Sequence, residues 1–234
     1  MTLPLADAGR IAALLCRLTD DLLYTPRAGA LARAMPGLVY RSRVGSGRQT
    51  CLRHAASGEL TITYGRRMVQ DKCDREHTLA WATSREIVDR GYFGGSLAPV
   101  HTLAHTAAHE FAHLLQVAGA ERRRGSVHNA AFYARLDQLH ADGAAERLAL
   151  ALERRAAAAG LSLAFREPPA AERDARRARE SDFAALAAGD RVRVFGRDRA
   201  YTGTVTRINR RSVSCQLDDG NRLRFTEHAT FERL

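Results

Sequence analysis

This sequence of 234 residues lacks paired cysteines. Its four cysteines lie far apart and include no C-x-x-C pair; they are Cys16, Cys51, Cys73 and Cys215. A zinc ribbon or a disulfide framework requires cysteines at characteristic short spacings, so neither is predicted. Isolated cysteines fit a reducing compartment, and we expect the protein to be cytoplasmic.

Long apolar segments are also missing. No apolar run approaches the roughly 18 residues that a transmembrane helix requires. The N-terminus does not show the order of a charged segment followed by an apolar one that marks a signal peptide. The sequence therefore predicts a soluble protein without a membrane partner.

Lysine is nearly absent, since Lys72 is the only one, yet the chain is strongly basic. Its 36 Lys and Arg residues exceed its 26 Asp and Glu residues, which gives a net charge of +10 and a pI near 10.3. Such an excess indicates a polyanionic neighbour such as nucleic acid. A codon bias towards Arg and Ala accounts for the same excess without a function, so charge alone leaves both explanations open.

Before residue 100 the patterns predict helices and short strands. Apolar residues recur at helical spacing over residues 6–24 and again over residues 79–90. Residues 38–44 and 60–64 alternate apolar and polar side chains, as half-buried strands do. Lys72, which follows the second strand, is predicted to lie in a solvated cluster of charges with Arg66 and Arg67, and a basic rim formed by these three residues is the alternative.

The segment 101–116, HTLAHTAAHEFAHLLQ, carries the strongest functional pattern. In a helix, His109 and His113 lie one turn apart on one face, so both imidazoles can bind one metal ion. Glu110 lies beside that face and is the candidate general base. Zinc binds imidazole nitrogen at about 2.0–2.1 Å and, in hydrolytic sites, needs a third protein ligand and one open position. A buried helix that contains unrelated histidines is the alternative interpretation.

Two further histidines continue the spacing of four towards the N-terminus. The pair His105 and His109 has Thr106 where a general base would be needed, so the later pair is the better candidate. We expect His101 and His105 to surround the site or to lie at the surface.

The third ligand is predicted to follow the helix. His128 opens the next helical pattern after the loop 118–126, which lets the chain fold back towards the first two ligands. His140 lies about 18 Å further along that pattern, so it cannot share an ion with His128. We predict His128 as the ligand, with Glu121 as a less favoured choice. In the alternative interpretation His128 only helps to cap the following helix.

The arrangement of H-E-F-A-H, fourteen intervening residues, His128 and then the aromatic Phe132 resembles the SprT-like (Spartan-type) zinc metalloproteases. The resemblance covers about residues 5–145 and implies an α+β fold with a minimal zincin-like core. It implies Zn²⁺ as the cofactor, bound by His109, His113 and His128, with Glu110 as the general base. Members of this family include proteases that degrade proteins crosslinked to DNA, which implies a protein substrate and an association with DNA. The cysteine-rich zinc ribbon that ends many bacterial relatives is absent here.

The hydrophobic period changes near residue 186 and divides the chain. Residues 1–165 form the predicted metalloprotease domain. Residues 166–185, with mixed charge and two prolines, form a predicted linker, and an exposed helix over residues 166–182 is the alternative. Residues 186–234 contain four or five short alternating strands, of which four are predicted at 191–195, 202–208, 212–217 and 222–225. They predict a small closed β-barrel similar in pattern to Tudor or KOW modules. Arginines on its outward face either contact phosphates or only solvate the sheet; they are Arg193, Arg207, Arg210, Arg211, Arg222 and Arg224.

These patterns together predict a zinc-dependent peptidase. In the expected mechanism zinc activates a bound water, and Glu110 carries the water's proton to the leaving amine. The donor that stabilises the oxyanion stays open among Tyr133, His105 and the loop Arg122–Arg124. Another metallohydrolase chemistry on the same ligands is one alternative. A non-catalytic, zinc-stabilised adaptor associated with DNA or transcription is the other.

Overall fold

The computed structural model describes residues 3–55, 58–121, 127–165, 178, 181–196, 199–209, 212–226 and 229–234. The chain divides into two compact units, Met1–Glu167 and Pro168–Leu234. Helices and a three-stranded sheet make up the first unit, and a five-stranded sheet dominates the second, so the predicted α+β class is confirmed. Most of the predicted linker lies outside the described residues.

The first helix supplies much of the core of the first unit. α1 spans Leu5–Leu18, and its residues Ile11, Leu15 and Leu18 are fully buried because they recur on one face. At its end, Thr19 Oγ1 donates to the Leu15 carbonyl at 2.7 Å, a contact that bends helices. A π-helical turn, a 3-10 turn and a short helix α2 follow, at Thr19–Tyr24, Thr25–Arg27 and Ala28–Ala34.

A three-stranded sheet packs against this helix. Its strands are β1 (Val39–Gly45), β2 (Cys51–His54) and β3 (Glu59–Gly65). β3 is central and pairs parallel with β1 and antiparallel with β2, which leaves β2 at one edge. The sequence did not predict β2, because its 4 residues are too short to show an alternation.

Two glycines set how the chain turns around this sheet. A Cβ on Gly65 would collide with the carbonyl oxygens of Gly47 and Gln49, so glycine lets the loop before β2 cross the end of β3. Three helices follow the sheet: α3 (Arg66–Lys72), α4 (Arg75–Thr78) and α5 (Ala82–Arg90). Gly91, with φ 71°, ends α5 in the left-handed conformation.

The central element of the unit is α6, Pro99–Ala118, which contains the predicted metal-binding segment. A 3-10 turn, Tyr92–Gly95, precedes it, and Pro99 occupies its first turn, where a missing N–H breaks no helical hydrogen bond. α6 is buried on most sides because it packs against β2, α5 and the two helices that follow. Those helices are α7 (Ala130–Ala141) and α8 (Ala144–Ala158). No helix within the described residues has the length and apolar character needed to span a membrane.

The second unit is an antiparallel sheet. Its strands are β4 (Arg191–Phe195), β5 (Ala200–Asn209), β6 (Ser212–Leu217), β7 (Arg222–Phe225) and β8 (Thr230–Arg233). They lie in the order β7-β6-β5-β4-β8. Alternate residues pack into one small core, among them Val192, Val205 and Val213, and this confirms the predicted alternation.

The predicted closed barrel is not what the structure shows. β7 and β8 end the sheet on opposite sides, and no ladder joins them among the described residues. Closure of a barrel requires the two terminal strands to pair, and here each of them has only 4 residues. The side chain of Phe183 instead covers the core by packing edge-on against Phe225 and Phe231.

Candidate metal centre

Three imidazoles converge beside α6. His109 and His113 lie one turn apart on that helix, and His128 precedes α7. His128 Nε2 is 3.1 Å from His113 Nε2 and 3.3 Å from His109 Nε2. These three residues, called the imidazole cluster below, could hold a metal ion, since their ligand atoms all lie within 4.8 Å of one another.

The spacing of these nitrogens fits a tetrahedral ion. Four ligands at about 2.0–2.1 Å from zinc place neighbouring ligand atoms about 3.3–3.4 Å apart. The distances of 3.1 and 3.3 Å in the cluster are close to that edge length. Burial and the neighbouring His109 lower the pKa of His128, which favours the neutral imidazole that a metal ion binds.

A carboxylate from α5 fixes the tautomer of His109. Glu86 Oε2 lies 2.8 Å from His109 Nδ1, so Nδ1 carries the proton and donates it to this bond. The lone pair of Nε2 therefore points into the imidazole cluster. Hydrogen bonds from His105 and His109 lower the pKa of Glu86 well below its usual range, although burial acts in the opposite direction. Glu86 is thus the charged partner that a metal-binding histidine commonly has.

The same carboxylate anchors a chain of hydrogen-bonded histidines. His105 Nε2 lies 3.1 Å from Glu86 Oε2, and His105 Nδ1 lies 3.0 Å from His140 Nε2. Burial lowers the pKa of His105, and burial together with His105 lowers the pKa of His140 to about 3, so both rings are neutral. Each ring then donates from Nε2, and the chain runs from His140 through His105 to Glu86.

A second group of side chains, Glu86, His105 and His109, is also close enough to hold a metal ion. Its short distances are accounted for by hydrogen bonds, because the Glu86 carboxylate accepts from both imidazoles. The imidazole cluster contains no carboxylate, and its three Nε2 atoms face one another at short distances. Imidazole nitrogens that converge in this way suit a shared metal ion.

Glu110 lies next to His109 on α6 and is held by β2. Its Oε2 accepts the backbone N–H of Leu52 at 2.7 Å, and only 6% of the residue is exposed. Burial raises the pKa of Glu110, against the opposing effects of His109 and the Leu52 hydrogen bond. A carboxylate whose pKa is raised is a better proton acceptor near neutral pH, as a general base must be.

His128 is held in place by a clamp between α6 and the turn before α7. Gln116 Nε2 donates to the Val127 carbonyl and to Asn129 Oδ1, each at 3.0 Å. Asn129 Oδ1 also caps α7 by accepting the N–H of Phe132 at 3.0 Å. His128 thus lies outside the helix, and the residue next to it provides the cap.

Phe132 forms the apolar wall of the cluster. Its ring is fully buried and stacks on His113, with centroids 4.3 Å apart. The rings of His109 and His128 lie 4.9 and 4.8 Å from it. One aromatic side chain therefore packs against all three imidazoles.

No protein-family model, curated protein or solved structure matches this chain. The interpretation of the cluster therefore rests on its own geometry.

The remaining sequence candidates lie elsewhere. Glu121, the less favoured third ligand, pairs with Arg135 at 2.8 Å. His101 contacts Ser96 and stacks on Phe93, away from the cluster. Arg122–Arg124 lie outside the described residues. Of the other oxyanion candidates, both ring nitrogens of His105 are already bonded. The Tyr133 hydroxyl makes one long hydrogen bond, 3.5 Å to Glu86 Oε1, and the Tyr133 ring centroid lies 6.4 Å from that of His128.

The environments of two charged residues near the site were not predicted. No sequence signal separates Glu86 from the solvated face of a helix, because its partner His109 is 23 residues away. Lys72 is fully buried rather than solvated, donates to Thr83 at 2.8 Å and lies over the Trp81 ring. Burial lowers the pKa of Lys72 to about 7, against the attraction of Glu86 and Asp71.

Replacing Lys72 with Met is expected to stabilise the metal-free protein at low pH. The pKa falls from 10.5 to about 7, and a shift of that size sets an upper limit of about 5 kcal/mol on the gain. Loss of the contacts to Thr83 and Trp81 offsets part of it, so we expect about 2 kcal/mol at pH 6. Between pH 7 and 10.5 the unfolded chain binds the extra proton, so wild-type stability rises with pH and the gain shrinks.

Urea unfolding of both proteins at several pH values measures this effect. Arg85→Met, at an exposed position of α5, is the matched control and should change stability little at any pH. A Lys72→Met variant that is less stable than wild type at pH 6 would contradict the assignment of a costly buried ammonium group.

Proposed function

We propose that this protein is a zinc-dependent peptidase of the SprT-like kind that the sequence resembles. The observation that carries the proposal is the convergence of His109, His113 and His128 at distances of 3.1 and 3.3 Å beside the buried carboxylate of Glu110. Zinc bound by these imidazoles would supply Lewis-acid polarisation of a carbonyl and a water of lowered pKa.

The side chains around the cluster have separate roles in this proposal. Glu110 accepts a proton at its carboxylate and passes it to the leaving amine. Glu86 holds the His109 ring in position through the 2.8 Å hydrogen bond to Nδ1. Tyr133 is the donor that we assign to the oxyanion. Burial raises the pKa of its hydroxyl, which therefore keeps its proton.

A polypeptide substrate fits the surroundings of the cluster. β2 is an edge strand, and among the described residues no other strand pairs with its outer side. Such an edge offers backbone groups to an extended segment of another chain. Leu52 of β2 bonds directly to Glu110, so a segment paired along β2 would pass close to the proposed general base. This favours peptide bonds over small amide or phosphoester substrates.

Metal analysis combined with a digestion assay tests the proposal. We expect about one zinc per chain and cleavage of an unfolded protein such as casein, measured with and without DNA. A parallel panel of phosphoester and small amide substrates should show no turnover. Zinc-loaded protein that cleaves the panel but not casein would point to another hydrolase chemistry. Zinc-loaded protein that cleaves nothing would favour the adaptor.

The adaptor is a second candidate because the second unit carries a separate basic surface. In that case zinc would only stabilise the first unit, and Glu110→Gln would leave the function unchanged.

Replacing Glu86 with Gln is expected to weaken zinc binding by about 10- to 100-fold. One amide oxygen of Gln could still face both imidazoles, as Glu86 Oε2 does, but the amide carries no charge, so His109 loses the anionic partner that makes its Nε2 a more basic ligand. Competition with a chromophoric chelator measures the affinity. Glu153→Gln, on the exposed face of α8, is the matched control. Equal zinc affinity of Glu86→Gln and wild type would exclude the positioning role.

A further inference from the structure

The outward face of the second unit contains a polar groove. It has a volume of about 400 Å³, and its polar lining consists of Thr206, Arg207, Ser214, Gln216, Arg222 and Arg224. Strand pairing places Arg207, Ser214 and Arg224 in one row across β5, β6 and β7. Gln216 and Arg222 form the next row. Three guanidinium groups therefore share one groove, which we call the arginine groove.

Ion pairing separates these arginines from the others on the sheet. Arg191, Arg193 and Arg233 each form a salt bridge, with Asp218, Glu232 and Asp190 respectively. Within the part of the chain that the structure describes, Arg207, Arg222 and Arg224 form no salt bridge with any carboxylate. Arg224 donates instead to the hydroxyl of Ser212 at 2.6 Å. The charge of the arginine groove is therefore available to an external anion.

The spacing of the three arginines indicates what kind of anion fits. Arg222 and Arg224 are two residues apart on β7, which separates their Cα atoms by about 7 Å. Arg207 lies two strands away, about 10 Å across the sheet. A single phosphate group would need all three side chains to converge on one point, whereas a ligand with repeated phosphates can meet each arginine where its strand places it.

The other lining residues favour a nucleic acid backbone. Thr206, Ser214 and Gln216 supply hydroxyl and amide donors, which commonly contact phosphate oxygens. No aromatic side chain is among the residues that line the groove, so it offers no platform on which unpaired bases could stack. We propose that the arginine groove binds the sugar-phosphate backbone of duplex nucleic acid, without reading its sequence. This site belongs to the second unit and does not depend on the proposed peptidase activity.

Binding of the full-length protein to a short fluorescein-labelled DNA duplex, followed by anisotropy over a range of salt concentrations, tests the proposal. The triple variant Arg207→Gln, Arg222→Gln, Arg224→Gln should bind at least about tenfold more weakly at low salt. It should also reduce the slope of log K against log salt by about 3, since three phosphate contacts are lost. A triple replacement of the same arginines by Lys should keep most of the slope.

The matched control removes the same charge from the same sheet. The triple variant Arg191→Gln, Arg193→Gln, Arg233→Gln lowers the net charge equally, but its arginines already have carboxylate partners. It should retain affinity and slope much closer to wild type, with thermal unfolding confirming that each variant is folded. If the two triple variants weakened DNA binding equally, the effect would depend on net charge alone, and the proposal would be overturned. Tighter binding of a phosphorylated peptide or of single-stranded DNA than of the duplex would also overturn it.

Discussion

Replacing Glu110 with Gln is expected to abolish turnover of protein substrates while zinc stays bound. The amide keeps the oxygen that accepts the Leu52 N–H, so the local structure should survive. It cannot accept a proton, however, and loss of a positioned general base costs about 10²- to 10⁴-fold in rate. The measurement is the initial rate of casein cleavage by wild type and variant, each loaded with zinc and each checked for metal content.

A matched control separates this effect from a change in charge. Glu153→Gln removes one carboxylate from the exposed face of α8 and should leave the rate unchanged. If Glu110→Gln kept the wild-type rate with a full complement of zinc, Glu110 would not be the base and the adaptor would become the better hypothesis. If the variant lost zinc as well, the result would show a structural role for Glu110.

Replacing His128 with Ala is expected to remove zinc from the purified protein. Two imidazoles on one helix would remain, and they hold zinc much more weakly than three. The loss should exceed the roughly 10- to 100-fold that removal of an outer partner costs. The fold should persist, because the residue is exposed and the Gln116–Asn129 clamp does not involve its side chain. Elemental analysis gives the metal content, and the rise in melting temperature on addition of zinc should vanish.

The control for this variant is another histidine of α6. His101→Ala preserves the imidazole cluster, since His101 contacts Ser96 and Phe93 instead. It should bind zinc like wild type. A His128→Ala protein that keeps one zinc per chain would show that the ion, if present, is bound elsewhere. The group formed by Glu86, His105 and His109 would then be the site to test next.

Local patterns were sufficient for most elements of the fold. The helix predicted over residues 101–116 extends from Pro99 to Ala118 in the structure, and the strands predicted at 191–195, 212–217 and 222–225 have the same bounds there. Each of these strands buries one face, so its period shows in the order of residues, and α6 shows its period in the spacing of its histidines. β2 was missed because it is an edge strand of 4 residues that is half exposed.

Such local patterns could not predict whether the sheet of the second unit closes into a barrel. Alternation shows that a strand has an inner and an outer face, but the pairing of the terminal strands depends on contacts between distant segments. The barrel prediction assumed that pairing, and it was wrong for the described residues. Net charge was equally uninformative about individual arginines, because it counts every arginine alike. Only the partners of each guanidinium group separate Arg193, which is paired with Glu232, from Arg207, which is not paired with any described carboxylate.

The sequence by itself determined the spacing of His109 and His113, because one turn of a helix brings positions four apart onto the same face. It also named His128 as the residue expected to join them. Only the tertiary structure decided that His128 lies 3.1 and 3.3 Å from the other two, that Glu86 bonds to His109, and that Lys72 is buried. Those facts depend on segments that meet across the fold. The order of residues along the chain shows the period of each helix and strand. The burial and hydrogen bonding of a polar group, in contrast, are set by its neighbours in space.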